Sequence, residues 1–458
     1  MHGPLPLTFR HTTAAAVMAA VDAGESVSLV GAASTGKSNF MAFLCRDDVR
    51  RHHLGDSAAA FVFALVDSHS LAADGPLEWR VYELVLHRLL QQGEPLGLDA
   101  ERLEFFGRLY ESVVTQRDAL LGQRYLEWLL EALCGPGGRR VALLFDQFDE
   151  IYRDCDRSFL LNLRSIRDRH KYALLYVAAS RDDLAHLRAD HHDVEAFYEL
   201  LSLNTIGLRP YDEPDTRTML QRMAARRGVE APPDPAASEL YALSGGHPGV
   251  LRALYWAWAD GVTPPGDGDA AEWLNQPAVW EEFTKIWRGL GEDERAFLVT
   301  LAAAAGAAPS RRASDASRRL DLKGLIVSDL GHGARMFCPL LRAFVHRRQL
   351  LGDGGGVRVD RERRLVWVGD HLAPSLTQLE FDLLACLAEQ PERVFDRDEL
   401  ANRLYPKDTS ATGDGVQDNR IDTLVGRLRK KIEPDPENPH HVVTVRGKGY
   451  KLVEPDSV

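Results

Sequence analysis

The sequence predicts a multidomain protein of mixed α/β and α class, in which a doubly wound parallel sheet precedes helical segments and smaller C-terminal domains. Three observations predict this fold class. Up to residue 205, short apolar runs alternate with amphipathic helical segments, which is typical of a doubly wound sheet. Residues 206–260 have helical periodicity throughout. Three consecutive glycines at 354–356 then precede a segment that has the pattern of strands, helices and a closing hairpin.

The length and composition exclude several classes of protein. The chain has 458 residues, enough for several domains, and its 45% hydrophobic and 27% charged residues exclude global disorder and fibrous repeats. No apolar run is long enough to span a membrane, and residues 1–13 lack the features of a secretory signal. Five dispersed cysteines fit a reducing compartment better than a disulfide framework. We therefore expect a cytoplasmic protein without membrane contact. The formal net charge of -12 argues against general nucleic-acid binding.

Four apolar runs are predicted as the buried parallel strands of the sheet. They are short, bounded by polar or turn residues, and rich in β-branched or aromatic side chains: 26–31, 59–67, 140–146 and 172–180. Periodicity alone does not exclude helix for such short runs, but their alternation with amphipathic segments favours strands. Two of those segments, 77–91 and 124–134, are predicted as helices that cover the sheet.

A glycine-rich loop follows the first predicted strand. Residues 31–38 match the phosphate-binding pattern G-x-x-x-x-G-K-[ST], between a strand and a helix as the pattern requires. Its backbone N–H groups and the helix N-terminus are suited to phosphate, so ATP or ADP is the expected ligand; a plain glycine turn is the alternative. We expect Lys37 to reach the β- and γ-phosphates and Ser38 to ligate Mg²⁺. The predicted nucleotide contacts in this P-loop are Gly31, Ser34, Thr35, Gly36, Lys37 and Ser38.

Charged residues follow the third and fourth predicted strands. Asp146 ends the third strand and is expected to hold Mg²⁺ through water, beside the P-loop. Glu150, and after it Asp149, are the candidates to orient or deprotonate the attacking water; the alternative is that they cap the next helix. Arg181 follows the fourth strand and is the candidate contact of the γ-phosphate or its water, with surface pairing to a neighbouring aspartate as the alternative.

These motifs, together with Gly245-Gly246-His247-Pro248-Gly249, resemble those of the STAND branch of AAA+-related ATPases. The resemblance implies a P-loop nucleotide-binding domain at 1–205 and a helical lid at 206–262. In that lid it implies that Pro248 packs near the adenine and that His247 lies near the phosphates. It also implies a first winged helix at 275–350, packed on the ATPase. A second DNA contact is the alternative for the arginines of that winged helix, Arg311, Arg312, Arg318 and Arg319.

Three stretches near the C-terminus resemble the DNA-binding domain of OmpR/PhoB-type response regulators. They are 376–384, 419–432 and 445–452. The resemblance implies a linker at 351–356 and a second winged helix at 357–458 that binds double-stranded DNA. In the resembled family the loop that corresponds to 405–418 can contact RNA polymerase, which makes RNA polymerase a candidate partner.

The residues of this segment support the same interpretation. On a helix over 417–432, apolar residues recur at helical spacing and form one stripe: Ile421, Leu424, Val425 and Leu428. The opposite face is suited to reading base edges in the major groove and contains Arg420, Thr423 and Arg427. Further cations suit phosphate contacts: Arg429, Lys430, Lys431, Arg446 and Lys448. A solvated basic face or a winged helix that binds protein is the alternative.

OmpR/PhoB-type proteins place a phosphorylatable receiver domain before the DNA-binding domain, and here the predicted ATPase occupies that position. We therefore hypothesise an ATP-switched, sequence-specific transcription regulator, in which nucleotide and Mg²⁺ control the exposure or pairing of the C-terminal winged helix. Hydrolysis would be slow and would reset the switch. Two alternatives stay open: a DNA-remodelling ATPase, such as a replication initiator or transposition loader, and a regulatory STAND sensor in antiphage defence.

Overall fold

The computed structural model describes residues 4–135, 137–188, 192–262, 270–303, 314–329, 333–351, 356–369, 371–405, 414–433, 435–445 and 447–453. The chain forms two compact units. The first contains Met1–Leu251, Gly289–Phe297 and Gly306–Phe337, and the second contains Arg252–Arg288, Leu298–Ala305 and Cys338–Val458. Most of the predicted linker at 351–356 lies outside the described residues.

A five-stranded parallel sheet forms the centre of the first unit. Its strands are β1 (Val27–Val30), β2 (Phe61–Asp67), β3 (Arg140–Asp146), β4 (Leu174–Ser180) and β5 (Thr205–Gly207). Their order is β2-β3-β4-β1-β5, and all neighbouring pairs are parallel. The four strands predicted from apolar runs are confirmed. The sequence pattern misses β5, because a strand of three residues is too short to show periodicity, and the predicted domain boundary at 205 cuts it.

Helices pack on this sheet and continue through the first unit. They are α1 (His11–Asp22), α2 (Lys37–Leu44), α3 (Asp47–Leu54), α4 (Leu77–Leu90), α5 (Ala100–Gln116), α6 (Ala119–Cys134), α7 (Phe148–Asp154), α8 (Arg157–Arg169), α9 (Glu195–Ser202), α10 (Glu213–Arg227), α11 (Asp234–Ser244) and α12 (Pro248–Ala259), the last of which continues into the second unit. The two predicted covering helices correspond to α4 and to part of α6. The main core joins strand residues such as Phe145 and Tyr176 to helix residues such as Tyr82 and Phe159.

The strand order places the P-loop at a position suited to a ligand. The chain passes from β1 to the far edge at β2 and returns through β3 and β4, and β5 then lies on the other side of β1. In open α/β sheets, ligands bind beyond the carboxyl ends of the strands, where the direction of strand order changes. Because the P-loop directly follows β1, it lies at this point.

The region predicted as a first winged helix, 275–350, is divided between the two units. The first unit contains α15 (Asp315–Leu322), β6 (Ile326–Asp329) and β7 (Gly333–Met336), the second contains α13 (Pro277–Arg288) and α16 (Pro339–Leu351), and α14 (Glu292–Ala303) contributes to both. Within the second unit the ring of Trp280 lies 4.8 Å from that of Phe344 and 6.0 Å from that of Trp367, centroid to centroid. The apolar face of α13 is thus buried against α16 and the C-terminal sheet, so 275–350 is not a separate compact unit.

The C-terminal part of the second unit starts with an antiparallel sheet of β8 (Val357–Asp360), β9 (Leu365–Val368) and β10 (His371–Leu372), in the order β10-β9-β8. Three helices follow: α17 (Gln378–Leu387), α18 (Arg397–Leu404) and α19 (Asp414–Ile432). A hairpin of β11 (Val442–Val445) and β12 (Gly449–Leu452) closes the domain. The strands, helices and closing hairpin predicted for this segment are confirmed.

The hairpin depends on glycine at the start of β12. Gly449 has a φ of 130°, and a Cβ atom there would lie 2.0 Å from the carbonyl oxygen of Phe395. The backbones of Phe395 and Tyr450 exchange two hydrogen bonds at this point, so the neighbouring chain has little freedom to move away. We expect Gly449→Ala to lower the free energy of unfolding of the C-terminal domain by about 2 kcal/mol, measured by urea denaturation.

Gly426→Ala is the matched control for this prediction. Gly426 lies inside α19, and no atom outside its own helix backbone lies within 4 Å of the Cβ position. Alanine there should raise the free energy of unfolding by about 0.5–1 kcal/mol, since it is the better helix former. If both variants shift stability in the same direction, the steric argument for Gly449 is wrong.

Candidate nucleotide pocket and DNA-reading helix

The P-loop turns directly into α2. Ser34 and Gly36 adopt left-handed conformations with φ of 57° and 83°, and α2 begins at Lys37. The Lys37 side chain is 9% exposed, and its Nζ atom donates to the carbonyl oxygens of Gly31 at 2.6 Å and Ala32 at 3.0 Å. Burial lowers the pKa of Lys37 to about 8. Of the predicted loop contacts, Gly31 and Lys37 are therefore brought together by a hydrogen bond.

Two carboxylates lie side by side at the strand ends beside the P-loop. Asp146 is 2% exposed, and Asp67, at the end of β2, is its partner in register. Burial raises the pKa of Asp146; a hydrogen bond with the Ser38 side chain opposes this shift, and the charge of Asp67 adds to it. Hydroxyl and carboxylate oxygens are the ligands that Mg²⁺ prefers, so Ser38 and Asp146 fit this ion. Sequence reasoning missed Asp67, although the second apolar run also ends in aspartate.

The structure separates the two acidic candidates for water activation. Asp149 is 3% exposed and accepts a hydrogen bond from the backbone N–H of Arg181, which ties the start of α7 to the end of β4. Glu150 is exposed on α7, and the Arg181 side chain is exposed as well. The positive charge of Arg181 contributes to the low pKa of Lys37, so this arginine lies near the P-loop ammonium.

The turn at 245–249 contacts the P-loop directly. The backbone N–H of Gly249 donates to the carbonyl oxygen of Ser34 at 3.2 Å. A Cβ atom added at Gly36 would lie 3.6 Å from the Tyr211 hydroxyl and 3.9 Å from Cγ of Pro248, so both side chains border the loop. His247 is fully buried, and its ring lies 5.8 Å from that of Phe337.

Arg10 joins this pocket although it precedes the P-loop by 21 residues and sequence reasoning missed it. Its guanidinium donates to the carbonyl oxygen of Thr35 at 2.8 Å and lies 4.4 Å from the ring centroid of Tyr211. Its backbone N–H donates to Asp215 at 2.9 Å. Burial raises the pKa of Asp215 to about 6. A lone arginine after an aromatic residue offers no sequence signal for this role.

A buried group of ion pairs joins α15 and α14 to the residue that follows Arg181. The Nζ atom of Lys323 lies 2.7 Å from Glu294 and 2.9 Å from Asp182. Arg319, whose side chain is 8% exposed, pairs with Asp293 and lies 3.7 Å from Asp182. The buried, paired side chain of Arg319 therefore supports a structural role for this arginine. The side chain of Arg318 is exposed. Arg311 and Arg312 lie outside the described residues.

The predicted reading face of α19 is present. The stripe residues Ile421, Leu424, Val425 and Leu428 are all buried in the core of the C-terminal domain. Arg420, Thr423 and Arg427 are exposed on the opposite side, with the Arg420 guanidinium 4.3 Å from the ring centroid of Tyr405. Tyr450 in the hairpin donates to Asp422 at 2.6 Å, which fixes the helix against β12. Two exposed arginines and a threonine are thus held on a rigid helix.

Two of the five predicted phosphate contacts, Arg429 and Lys431, already hydrogen-bond to other groups of the C-terminal domain. Arg429 donates to the carbonyl oxygen of Val442 at 2.9 Å and to the Thr444 hydroxyl at 2.7 Å. Lys431 donates to Glu380 at 2.6 Å. These two cations therefore stabilise the domain, and phosphate contact through them stays a prediction.

The remaining predicted phosphate contacts lie at the helix end and in the hairpin turn. Lys430 and Lys448 are exposed. Arg446 lies outside the described residues, as does most of the loop at 405–418 that is the candidate contact for RNA polymerase. Among the described residues, no helix is long and apolar enough to cross a membrane.

Comparisons with known proteins concern mainly the C-terminal domain. Residues 372–452 match the family model "Transcriptional regulatory protein, C terminal". The chain is 47% identical over 91 residues to the DNA-binding response regulator MtrA of Mycobacterium leprae, a match that covers 19% of this chain and 36% of that protein. The chain spans between a third and a half of the length of the first curated relatives that it matches.

Two solved structures are also similar. The DNA-binding domain of RstA from Klebsiella pneumoniae, in complex with the RstA box, is 33% identical, and the match covers 22% of this chain and 93% of that chain with a TM-score of 0.19. A Walker-type ATPase of Pyrococcus abyssi is 14% identical over 74% of this chain and 95% of that chain, with a TM-score of 0.44.

Proposed function

Because residues 372–452 form a DNA-binding domain of the OmpR/PhoB-type transcriptional regulator family, we propose that the whole chain is a sequence-specific transcription regulator whose DNA binding is controlled by a nucleotide. The proposal that the chain binds DNA is supported above all by one helix face. Arg420, Thr423 and Arg427 are exposed on a helix whose other side is buried. A helix of this kind enters the major groove, where arginine reads guanine and threonine contacts either a base edge or the thymine methyl group. Exposed Lys430 and Lys448 supply phosphate contacts on either side.

The proposed controlling ligand is ATP or ADP with Mg²⁺, bound at the P-loop. The ammonium of Lys37 would bind the phosphates in place of the carbonyl oxygens of Gly31 and Ala32, and Pro248 and Tyr211 would border the nucleotide. Ser38 and Asp146 would hold Mg²⁺, which neutralises developing negative charge on the phosphates when it is bound. This assignment is supported by the nearness of the Ser38 side chain, which lowers the pKa of Asp146 against the larger effect of burial, and by the pairing of Asp146 with Asp67 in register.

We propose slow hydrolysis that resets the switch. Glu150 is the candidate to orient the attacking water, since its side chain is exposed and it follows Asp149 on α7. Arg181 is the candidate to contact the γ-phosphate, since its side chain is exposed and its charge acts on Lys37. Asp149 would act by positioning, because its carboxylate already accepts the backbone N–H of Arg181. RNA polymerase, and a second copy of the chain when nucleotide is bound, are the proposed protein partners.

The test is selection of bound sites from random DNA by the full chain without nucleotide, with ADP, and with a non-hydrolysable ATP analogue. A single repeated half-site motif whose occupancy changes with the nucleotide is the expected result. DNA retained without sequence preference would instead favour the remodelling ATPase. Absence of any DNA binding would contradict the proposal and favour a winged helix that binds protein.

Arg427→Ala should weaken binding to the selected site by about 1–3 kcal/mol, because a base contact in the major groove contributes that much discrimination. Binding to unrelated DNA should change little, so the loss appears as reduced specificity in competition titrations. Arg363→Ala, which removes an exposed arginine from the turn between β8 and β9, is the matched control and should bind like the wild type. Equal losses in the two variants would contradict the assignment of the reading face.

A further inference from the structure

Three histidines from two helices of the first unit meet at one point. His11 is the first residue of α1, and His52 and His53 lie in the last turn of α3. The ring of His11 lies 5.5 Å from that of His53 and 6.1 Å from that of His52, and the rings of His52 and His53 are 4.8 Å apart, centroid to centroid. One ring nitrogen from each of the three residues can be chosen so that all lie within 4.8 Å of one another.

The environment of this histidine cluster favours a ligand over ordinary packing. The Nε2 atom of His53 is buried and has no hydrogen-bond partner among the described residues, which is a costly arrangement for a polar group. This buried ring nitrogen, unpartnered within the described part of the chain, is therefore available to a ligand. Metal ions bind the neutral form of histidine.

We propose that His11, His52 and His53 form a binding site for one divalent transition-metal ion, represented here by Zn²⁺, that joins α1 to α3. Three imidazoles suit Zn²⁺, Ni²⁺ or Cu²⁺, whereas Mg²⁺ prefers oxygen ligands. A four-coordinate ion with Zn–N bonds of about 2.0–2.1 Å would keep one position for water. The three ring nitrogens now lie within 4.8 Å of one another. Because His11 and His52 are exposed, their rings can rotate to bring these nitrogens to bonding distance of one ion.

An ion bound to the histidine cluster would affect the candidate nucleotide pocket, because the cluster adjoins segments that support the P-loop. His11 directly follows Arg10, whose guanidinium contacts the P-loop at Thr35, and α3 comes two residues after the P-loop helix α2. An ion bound to both helices would restrain the two segments that support the P-loop. Because the ion binds the folded unit and the unfolded chain lacks the assembled site, it should raise the unfolding temperature of the first unit.

The experiment is calorimetric titration of the full chain with ZnCl₂ at pH 7.5, in the absence of nucleotide, followed by thermal unfolding with and without the ion. We expect one site of high affinity per chain. His52→Gln and His11→Gln should each weaken that site by about 100-fold and abolish the thermal shift. Mg²⁺ in excess should not compete, because it prefers oxygen ligands.

A matched control uses another adjacent histidine pair. The double variant His440→Gln/His441→Gln alters two histidines in the C-terminal domain and should bind Zn²⁺ like the wild type. Each variant is first compared with the wild type by unfolding temperature without metal, so that a folding defect is recognised. Unchanged affinity in both His52→Gln and His11→Gln, or an equal loss in the His440/His441 variant, would overturn the proposed site.

Discussion

Replacing Lys37 with alanine is expected to weaken the binding of MgATP by about 100-fold or more. Lys37 is 9% exposed, its ammonium donates to carbonyl oxygens of the P-loop, and it is expected to donate to both the β- and γ-phosphates. Each hydrogen bond from a charged group contributes about 1.5–3 kcal/mol, so the loss of two gives an effect of this size. The measurement is a titration with a fluorescent ATP analogue. Lys171→Ala, which removes an exposed lysine beside Tyr172, is the control and should bind normally.

The pKa of Lys37 predicts that nucleotide binding depends on pH. Phosphate attracts the ammonium form, and a pKa of about 8 leaves about a tenth of Lys37 protonated at pH 9 in the free pocket. The affinity for MgATP should therefore fall about tenfold between pH 7 and pH 9. Lys37→Arg should lose this dependence, because a guanidinium does not titrate in that range. A flat profile in the wild type would contradict the assigned role of the lysine.

Replacing Lys323 with alanine is expected to lower the free energy of unfolding of the first unit by about 3–5 kcal/mol. Lys323 is 1% exposed, and its ammonium lies 2.7 Å from both carboxylate oxygens of Glu294, which is fully buried. Removal of Lys323 leaves the buried charge of Glu294 with Arg319 at 3.7 Å in place of its close ion pair, and this weaker compensation produces the large loss. Urea unfolding followed by tryptophan fluorescence measures the change.

Two further variants make this prediction specific. Arg318→Ala removes a cation from α15 whose side chain is 71% exposed, and its stability should stay within about 0.5 kcal/mol of the wild type. Glu294→Gln, combined with Lys323→Ala, should recover part of the loss because the buried negative charge is gone. If the double variant is no more stable than Lys323→Ala alone, the loss arises from packing and not from charge.

Several features of the molecule follow from residues that are close together in the sequence. The P-loop is recognisable from eight consecutive residues, because the turn, the helix start and Lys37 all belong to one local structure. The two faces of α19 follow from helical spacing alone, and the buried and exposed residues agree with it. The four longer strands are likewise recognisable from their own composition.

Other features appear only when distant segments pack together. Arg10 hydrogen-bonds to Asp215, 205 residues away, and Lys431 binds Glu380 across 51 residues. The first of these contacts holds Arg10, whose guanidinium also contacts the P-loop at Thr35. The second occupies a cation predicted to contact phosphate.

The sequence by itself determined the P-loop, the strands with clear apolar runs and the buried and exposed faces of α19, since each depends on a local period or motif. Only the tertiary structure decided that Asp67 lies beside Asp146, that 275–350 is divided between two units, and that His11 meets His52. The physical reason is that a helix or loop motif is specified by neighbours a few residues apart. A contact between strand ends or helix ends depends on how whole segments bury their apolar faces, and no local pattern encodes that arrangement.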